Sequence, residues 1–125
     1  MKTNNSCPFC NHKRDIISET ELSFAIYDGF PVSKGHALII PKRHTANYFH
    51  FTYEEQADCI LLLNKVKKII QEKFSPDGFN IGININEPAG QTVPHMHIHL
   101  IPRYEGDEDE PRGGVRGVIP GKKNY

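Results

Sequence analysis

Residues 90–102 read Gly-Gln-Thr-Val-Pro-His-Met-His-Ile-His-Leu-Ile-Pro. Three histidines, His95, His97 and His99, fall at every second position with apolar residues between them. In an extended strand, alternate side chains share a face. Residues 95–99 are therefore expected to be extended, with the histidines on one side and Met96, Ile98 and Leu100 entering the core. As a helix, the same residues would scatter around the axis, and Pro94 and Pro102 bracket a run of strand length. Imidazoles spaced roughly 6–7 Å apart are poor packing material. The row suits either a metal or nucleophilic and acid–base chemistry near neutral pH.

The flanking sequence supplies a sheet and a helix. Glu21–Asp28 alternates apolar and small or polar residues, and His36–Pro41 is an apolar run suited to a buried strand. The loop Gly29–Gly35 joins them, so they should pair antiparallel, with Asp28 and His36 at one end. Thr52 and Glu55 form a capping box that opens a helix running to about Phe74. Its expected inner face is Ala57, Ile60, Leu61, Leu63, Val66, Ile69, Ile70 and Phe74, with Lys65, Lys67, Lys68 and Glu72 outside. Cys59 reads as a buried structural thiol. In 79–86, Phe79, Ile81, Ile83 and Ile85 should face inward, and Asn80, Gly82, Asn84 and Asn86 outward. The architecture is α+β: a meandering antiparallel sheet with one long helix across a face.

At 125 residues the chain is one domain. The expected boundaries are a domain at 1–104 and a tail at 105–125, acidic first, then Gly-rich and basic. That composition suits a mobile tail, with Val115–Pro120 as a short stretch able to dock. Fifteen basic and 15 acidic side chains cancel, which argues against nucleic acid or an anionic membrane as partner. No apolar run approaches the ~18–20 residues of a membrane span. Met1–Ser6 lacks the apolar core of a signal peptide. Three cysteines do not make a secreted disulfide framework, so a reducing cytoplasm is the expected location.

Cys7-Pro8-Phe9-Cys10 is a C-x-x-C pair. With only six polar residues before it, a redox couple is disfavoured. Half a metal site needs two further ligands. His44 and one triad histidine would complete a Cys₂His₂ set assembled by the fold, and four protein ligands would make a bound zinc structural.

The triad, with Gly90-Gln91-Thr92-Val93 before it, resembles the signature of the histidine-triad (HIT) family. The likeness runs from about Cys7 to Arg103. It implies a HIT-like fold and a homodimer with joined sheets. It implies a nucleotide hydrolase cleaving at an α-phosphate through a covalent nucleotidyl intermediate on His97, oriented by the carbonyl of His95. His99 and His36 would complete the catalytic set. Asp28 would take the ribose hydroxyls, Asn84, Gln91 and Thr92 the phosphate or leaving group, and Phe9, Phe24, Ile26 and Leu38 the base. Zinc would sit on Cys7, Cys10, His44 and His95, as in family members with the same C-x-x-C. His99 at the third position, where uridylyltransferases of the wider superfamily carry Gln, favours hydrolysis. Gln91-Thr92-Val93 and Ile101-Pro102-Arg103 resemble the Fhit-like branch, whose substrates are dinucleoside polyphosphates such as diadenosine polyphosphates. Asn84 matches Hint-like phosphoramidases instead. A zinc-stabilised nucleotide-binding adaptor and a catalytic-zinc hydrolase are the competing readings.

Overall fold

Thr52 starts the helix by accepting a hydrogen bond from the Glu55 amide at 3.1 Å, while the Glu55 carboxylate accepts one from the Thr52 amide at 2.9 Å. These reciprocal bonds satisfy two donors that a helix start leaves unpaired. Helix α1 spans Tyr53–Phe74 and ends at Ser75, which turns left-handed at φ 51°. In this computed structural model, residues 4–125 are described; Met1–Thr3 of the polar start lie outside the described residues.

Cys59, Leu62, Leu63, Val66 and Ile70 are the buried stripe of α1. Ala57, Ile60 and Leu61, expected inside, are exposed, the last two at 44% and 53%. Cys59–Leu63 is apolar all round the helix, so spacing alone does not fix which residues face the sheet. The sheet selects 59, 62, 63, 66 and 70, which recur at three and four on one side. Lys65, Lys67, Lys68 and Glu72 point outward as expected.

The sheet has five strands: β1 Ser18–Glu19, β2 Ser23–Tyr27, β3 Ala37–Pro41, β4 Gly78–Ile83 and β5 Ile98–Arg103. Their order is β1-β2-β3-β5-β4, and every pair is antiparallel. α1 carries the chain across to the far edge, and β5 then returns between β3 and β4. α1 covers the face that holds Ala25, Ala37, Ile39, Met96, Ile98 and Leu100. The opposite face, with Phe24, Ile26, Leu38 and Ile40, is covered by the N-terminal segment through Cys7 and Phe9. Fully burying one such aliphatic side chain contributes about 1.5–3 kcal/mol.

Two strand readings need correction. β5 begins at Ile98, so only His99 of the triad lies in the ladder; His95 sits in a bend and His97 just before the strand. The chain there is held from outside the sheet: the Met96 amide donates to the Thr45 carbonyl at 2.9 Å. Alternation nonetheless persists, because Met96, Ile98 and Leu100 all enter the helix-side core. Ile81, expected inside, is 50% exposed. It faces the helix side of β4, but β4 is an edge strand, and α1 packs chiefly on β2 and β3.

Beyond β5 the chain folds back. The Arg103 guanidinium grips Asp107 with two bonds of 2.9 Å. Single 3₁₀ turns follow at Gly114–Val118, which packs on β4, and Pro120–Lys122. Arg116 donates to the Lys122 and Lys123 carbonyls, and Arg112 and Arg116 lie 4.7 and 4.8 Å from the Tyr125 ring centre. Among the described residues, no helix is long and apolar enough to cross a membrane.

Candidate functional site

Pairing of β2 with β3 brings the end of one strand to the start of the other, and the Asp28 amide donates to the His36 carbonyl at 3.0 Å. β5 runs beside β3 with Leu38 opposite His99. Three side chains therefore converge. His36 Nε2 lies 3.0 Å from His99 Nδ1 and 3.4 Å from Asp28 Oδ2.

Hydrogen bonds fix the tautomers. His36 Nδ1 accepts from the Val32 amide at 3.1 Å, so its proton is on Nε2, which donates to His99 Nδ1. His99 then carries its own proton on Nε2. His97 Nδ1 lies 2.8 Å from the His95 carbonyl oxygen. A carbonyl can only accept, so Nδ1 is the donor and Nε2 keeps a lone pair. The site thus presents one imidazole nitrogen as acceptor and another as donor. Burial pushes the pKa of His36 and His97 down. That of His99 falls to about 4, through burial first and then the neighbouring His97 and His36 rings. All three rings are accordingly neutral near pH 7.

These groups line a cavity of about 410 Å³. Phe9, Leu38 and Val93 give it an apolar wall, Asp28 and Arg14 a polar rim, and Asn84, Gly90 and Thr92 border the imidazoles. A cleft of about 500 Å³ beside Lys34, Arg103 and Asp107 is larger but, among the described residues, holds no imidazole.

A second cluster lies beneath. Cys7, Cys10, His44 and His95 each offer one donor atom, all within 4.8 Å of one another. His95 Nδ1 is 3.3 Å from Cys7 Sγ, 3.6 Å from Cys10 Sγ and 3.2 Å from His44 Nδ1, and Cys10 Sγ is 3.5 Å from His44 Nδ1. Tetrahedral zinc with ordinary bond lengths sets donor separations of about 3.6 Å for S–N and about 3.3 Å for N–N. The four donors fit such an ion with little rearrangement. His95 Nε2 donates to the Pro41 carbonyl at 2.7 Å, which leaves Nδ1 as the free ligand nitrogen, the arrangement expected of a metal-binding histidine. His95 is thus shared: its ring belongs to this cluster, and its carbonyl aims His97.

The HIT domain family model matches residues 10–106. The chain belongs to the HIT domain family. This HIT protein is 38% identical to a bis(5'-adenosyl)-triphosphatase of Dictyostelium discoideum, over 86% of this chain and 72% of that one. It is 43% identical to an adenosine 5'-monophosphoramidase of Schizosaccharomyces pombe, over 78% and 74%. A zinc-bound histidine triad family protein from Mycobacterium smegmatis has the same fold, with a TM-score of 0.76, 34% identity and coverage of 84% and 80%.

In this HIT protein, eight of the residues singled out from sequence line the cavity: Phe9, Asp28, His36, Leu38, Asn84, Thr92, His97 and His99. Four do not. His95 is fully buried in the metal-type cluster. Gln91 spends its side chain on backbone, donating to the Ala46 and Val93 carbonyls and accepting from the Asn86 amide. Phe24 and Ile26 lie behind Phe9 and Leu38 in the same apolar cluster, with Phe24 stacked on His12 at 4.7 Å. Sequence reasoning missed Pro8, Arg14, Phe30 and Val32, which also line the cavity. Phe30 and Val32 lie in the loop read as a mere connector, and nothing near Arg14 signals its place.

Proposed function

We propose that this HIT protein hydrolyses nucleotide conjugates at the α-phosphate, with His97 as nucleophile. The observation that carries the reading is the 2.8 Å bond from His97 Nδ1 to the His95 carbonyl, which leaves the opposite nitrogen neutral and unshared at a cavity wall. In the proposed reaction His97 Nε2 bonds to phosphorus, the bond from phosphorus to the leaving group breaks, and the electron pair departs with that group. Water then adds to phosphorus and releases the histidine. His99 Nε2–H donates to a phosphoryl oxygen as charge builds there. His36 holds His99 in the donor tautomer. Asp28 accepts from ribose hydroxyls, Phe9 and Leu38 hold the base, and Thr92 and Asn84 serve the phosphate. Phe24 and Ile26 act as backing, and Gln91 as a clamp on the approach to the triad.

Dinucleoside polyphosphates are the proposed substrates, supported by the likeness to a bis(5'-adenosyl)-triphosphatase. A phosphoramidate leaving group is the second reading, favoured by Asn84 in the cavity and the likeness to a monophosphoramidase. Cys7, Cys10, His44 and His95 would hold zinc with a closed shell, so its contribution is structural. Exposed Ile60, Leu61 and Ile81 and the free edge of β4 support a homodimer. The proposed location is the cytoplasm.

His97→Ala is the test. It should abolish turnover of diadenosine polyphosphates and adenosine phosphoramidate while leaving the fold intact. Wild-type protein quenched in denaturant during turnover should carry one nucleotidyl group, seen by mass spectrometry. Retained activity in a folded variant overturns the role of His97.

A further inference from the structure

His36, Asn84, His99 and Val32 line a second chamber as well as the nucleotide cavity. This chamber measures about 470 Å³, within the range of small-ligand sites. Its remaining walls come from β4, β5 and the C-terminal tail, which contributes Val115 and Val118. Among the described residues, no Asp, Glu, Lys or Arg lines it. A charged phosphate chain finds no cation there, whereas an uncharged ring system finds apolar side chains and flat glycine backbone. Gly82 stands opposite His99 in the ladder. Paired residues project to the same face, so the missing side chain of Gly82 is what opens the floor beside His99. A Cβ built at Gly82 meets nothing within 4 Å.

The tail wall is a built structure. Gly113 sits at φ +95°, and a Cβ there would overlap the Lys123 carbonyl oxygen. That close approach, with the Arg116 bonds to the same segment, closes the tail on itself and sets Val115 and Val118 over β4.

We propose that this chamber receives the far end of the leaving nucleotide, the uncharged nucleoside beyond its phosphates, with Gly82 and the tail setting which leaving groups fit. The proposal rests on His97 being the nucleophile. When its nitrogen bonds to the α-phosphorus, the phosphorus–oxygen bond on the chamber side breaks. The departing oxygen keeps the electron pair, and its nucleoside lies between Gly82 and Val118.

Two substitutions in the full-length protein test this. Gly82→Phe fills the floor from a Cβ that meets nothing within 4 Å; Gly113→Val unlocks the tail. For each, kcat/KM is measured for diadenosine tetraphosphate and for adenosine 5'-phosphoramidate, whose leaving group is ammonia. The ratio of the first to the second should fall by about tenfold or more. An unchanged ratio, including an equal fall on both substrates, overturns the proposal, since a merely structural effect moves both together. If wild-type protein turns over neither substrate, the His97 reading fails, and the chamber is judged on affinity. Wild type should bind a methylene-bridged diadenosine tetraphosphate more tightly than AMP, and Gly82→Phe should erase that margin. Equal affinities in wild type, or a margin that survives the substitution, overturn it.

Discussion

Glu55→Gln isolates one charge that ties the helix start to the metal-type cluster. The Glu55 carboxylate accepts from Arg43 Nε at 2.8 Å and from a second guanidinium nitrogen at 2.9 Å, and Arg43 also donates to Thr45 Oγ1 and the His50 carbonyl. This fork spans His44, one of the four donors in the cluster. Arg43 first, then the Thr52 amide, holds the Glu55 carboxyl at about 2 instead of its ordinary 4.5. A difference of that size corresponds to about 3 kcal/mol. The Arg43 side chain is 32% exposed, so solvent screening brings the expected loss to roughly 2 kcal/mol. Gln still serves in a capping box, so the helix start survives. A carboxyl held low stabilises fully above its unfolded pKa and loses that contribution as pH falls toward its folded value. In urea unfolding, the gap between wild type and variant should be largest near about pH 7 and roughly two-fifths smaller near about pH 3.5. Zinc affinity should weaken as well, because His44 loses its brace. A gap below about 0.5 kcal/mol, the scale of an ordinary surface change, or one that ignores pH, would refute the reasoning.

Removing metal with a chelator should lower the melting temperature by roughly 10 °C or more while leaving α1 helical, checked by thermal melts and circular dichroism; identical melts would sink the structural role. Because the His99 pKa is lowered to about 4, kcat/KM should stay level down to about pH 6 and fall only below it, as the rings gain protons. An inflection at or above the ordinary imidazole value would contradict this. Gly35 sits at φ +88°, and a Cβ there would lie 2.8 Å from the Phe74 ring. Gly35→Ala should therefore cost roughly 1–3 kcal/mol, read from chemical denaturation.

The helix was legible to the residue at its start because a capping box is local chemistry: Thr52 and Glu55 need nothing but each other. Its facing was not, because Ile60 and Leu61 are as apolar as Leu62 and Leu63, and the sheet decides between them. The alternation at Met96, Ile98 and Leu100 also reads directly, since it survives where the ladder stops. Where the ladder stops does not read, because the Thr45 carbonyl that captures the Met96 amide lies far away in sequence. Ile81 misled because edge position depends on strand order, which no local pattern carries. Cys7, Cys10, His44 and one triad histidine were legible as a ligand set from donor chemistry, with His95 singled out only by the family resemblance, whereas Arg14 reaches the cavity only through tertiary folding. Gln91 was legible as part of the approach to the triad, but its bonds to Ala46, Val93 and Asn86 depend on the folded loop.

His95 sets its ring beside two thiols and gives its backbone oxygen to His97, the proposed nucleophile. The N-terminal cysteines therefore cannot drift independently of the reactive centre. A lineage that discards them must re-anchor position 95 by other packing in the same step, or let the His97 ring swing. Anyone redesigning this scaffold inherits the same bargain: the anchor and the aim must be altered as one unit.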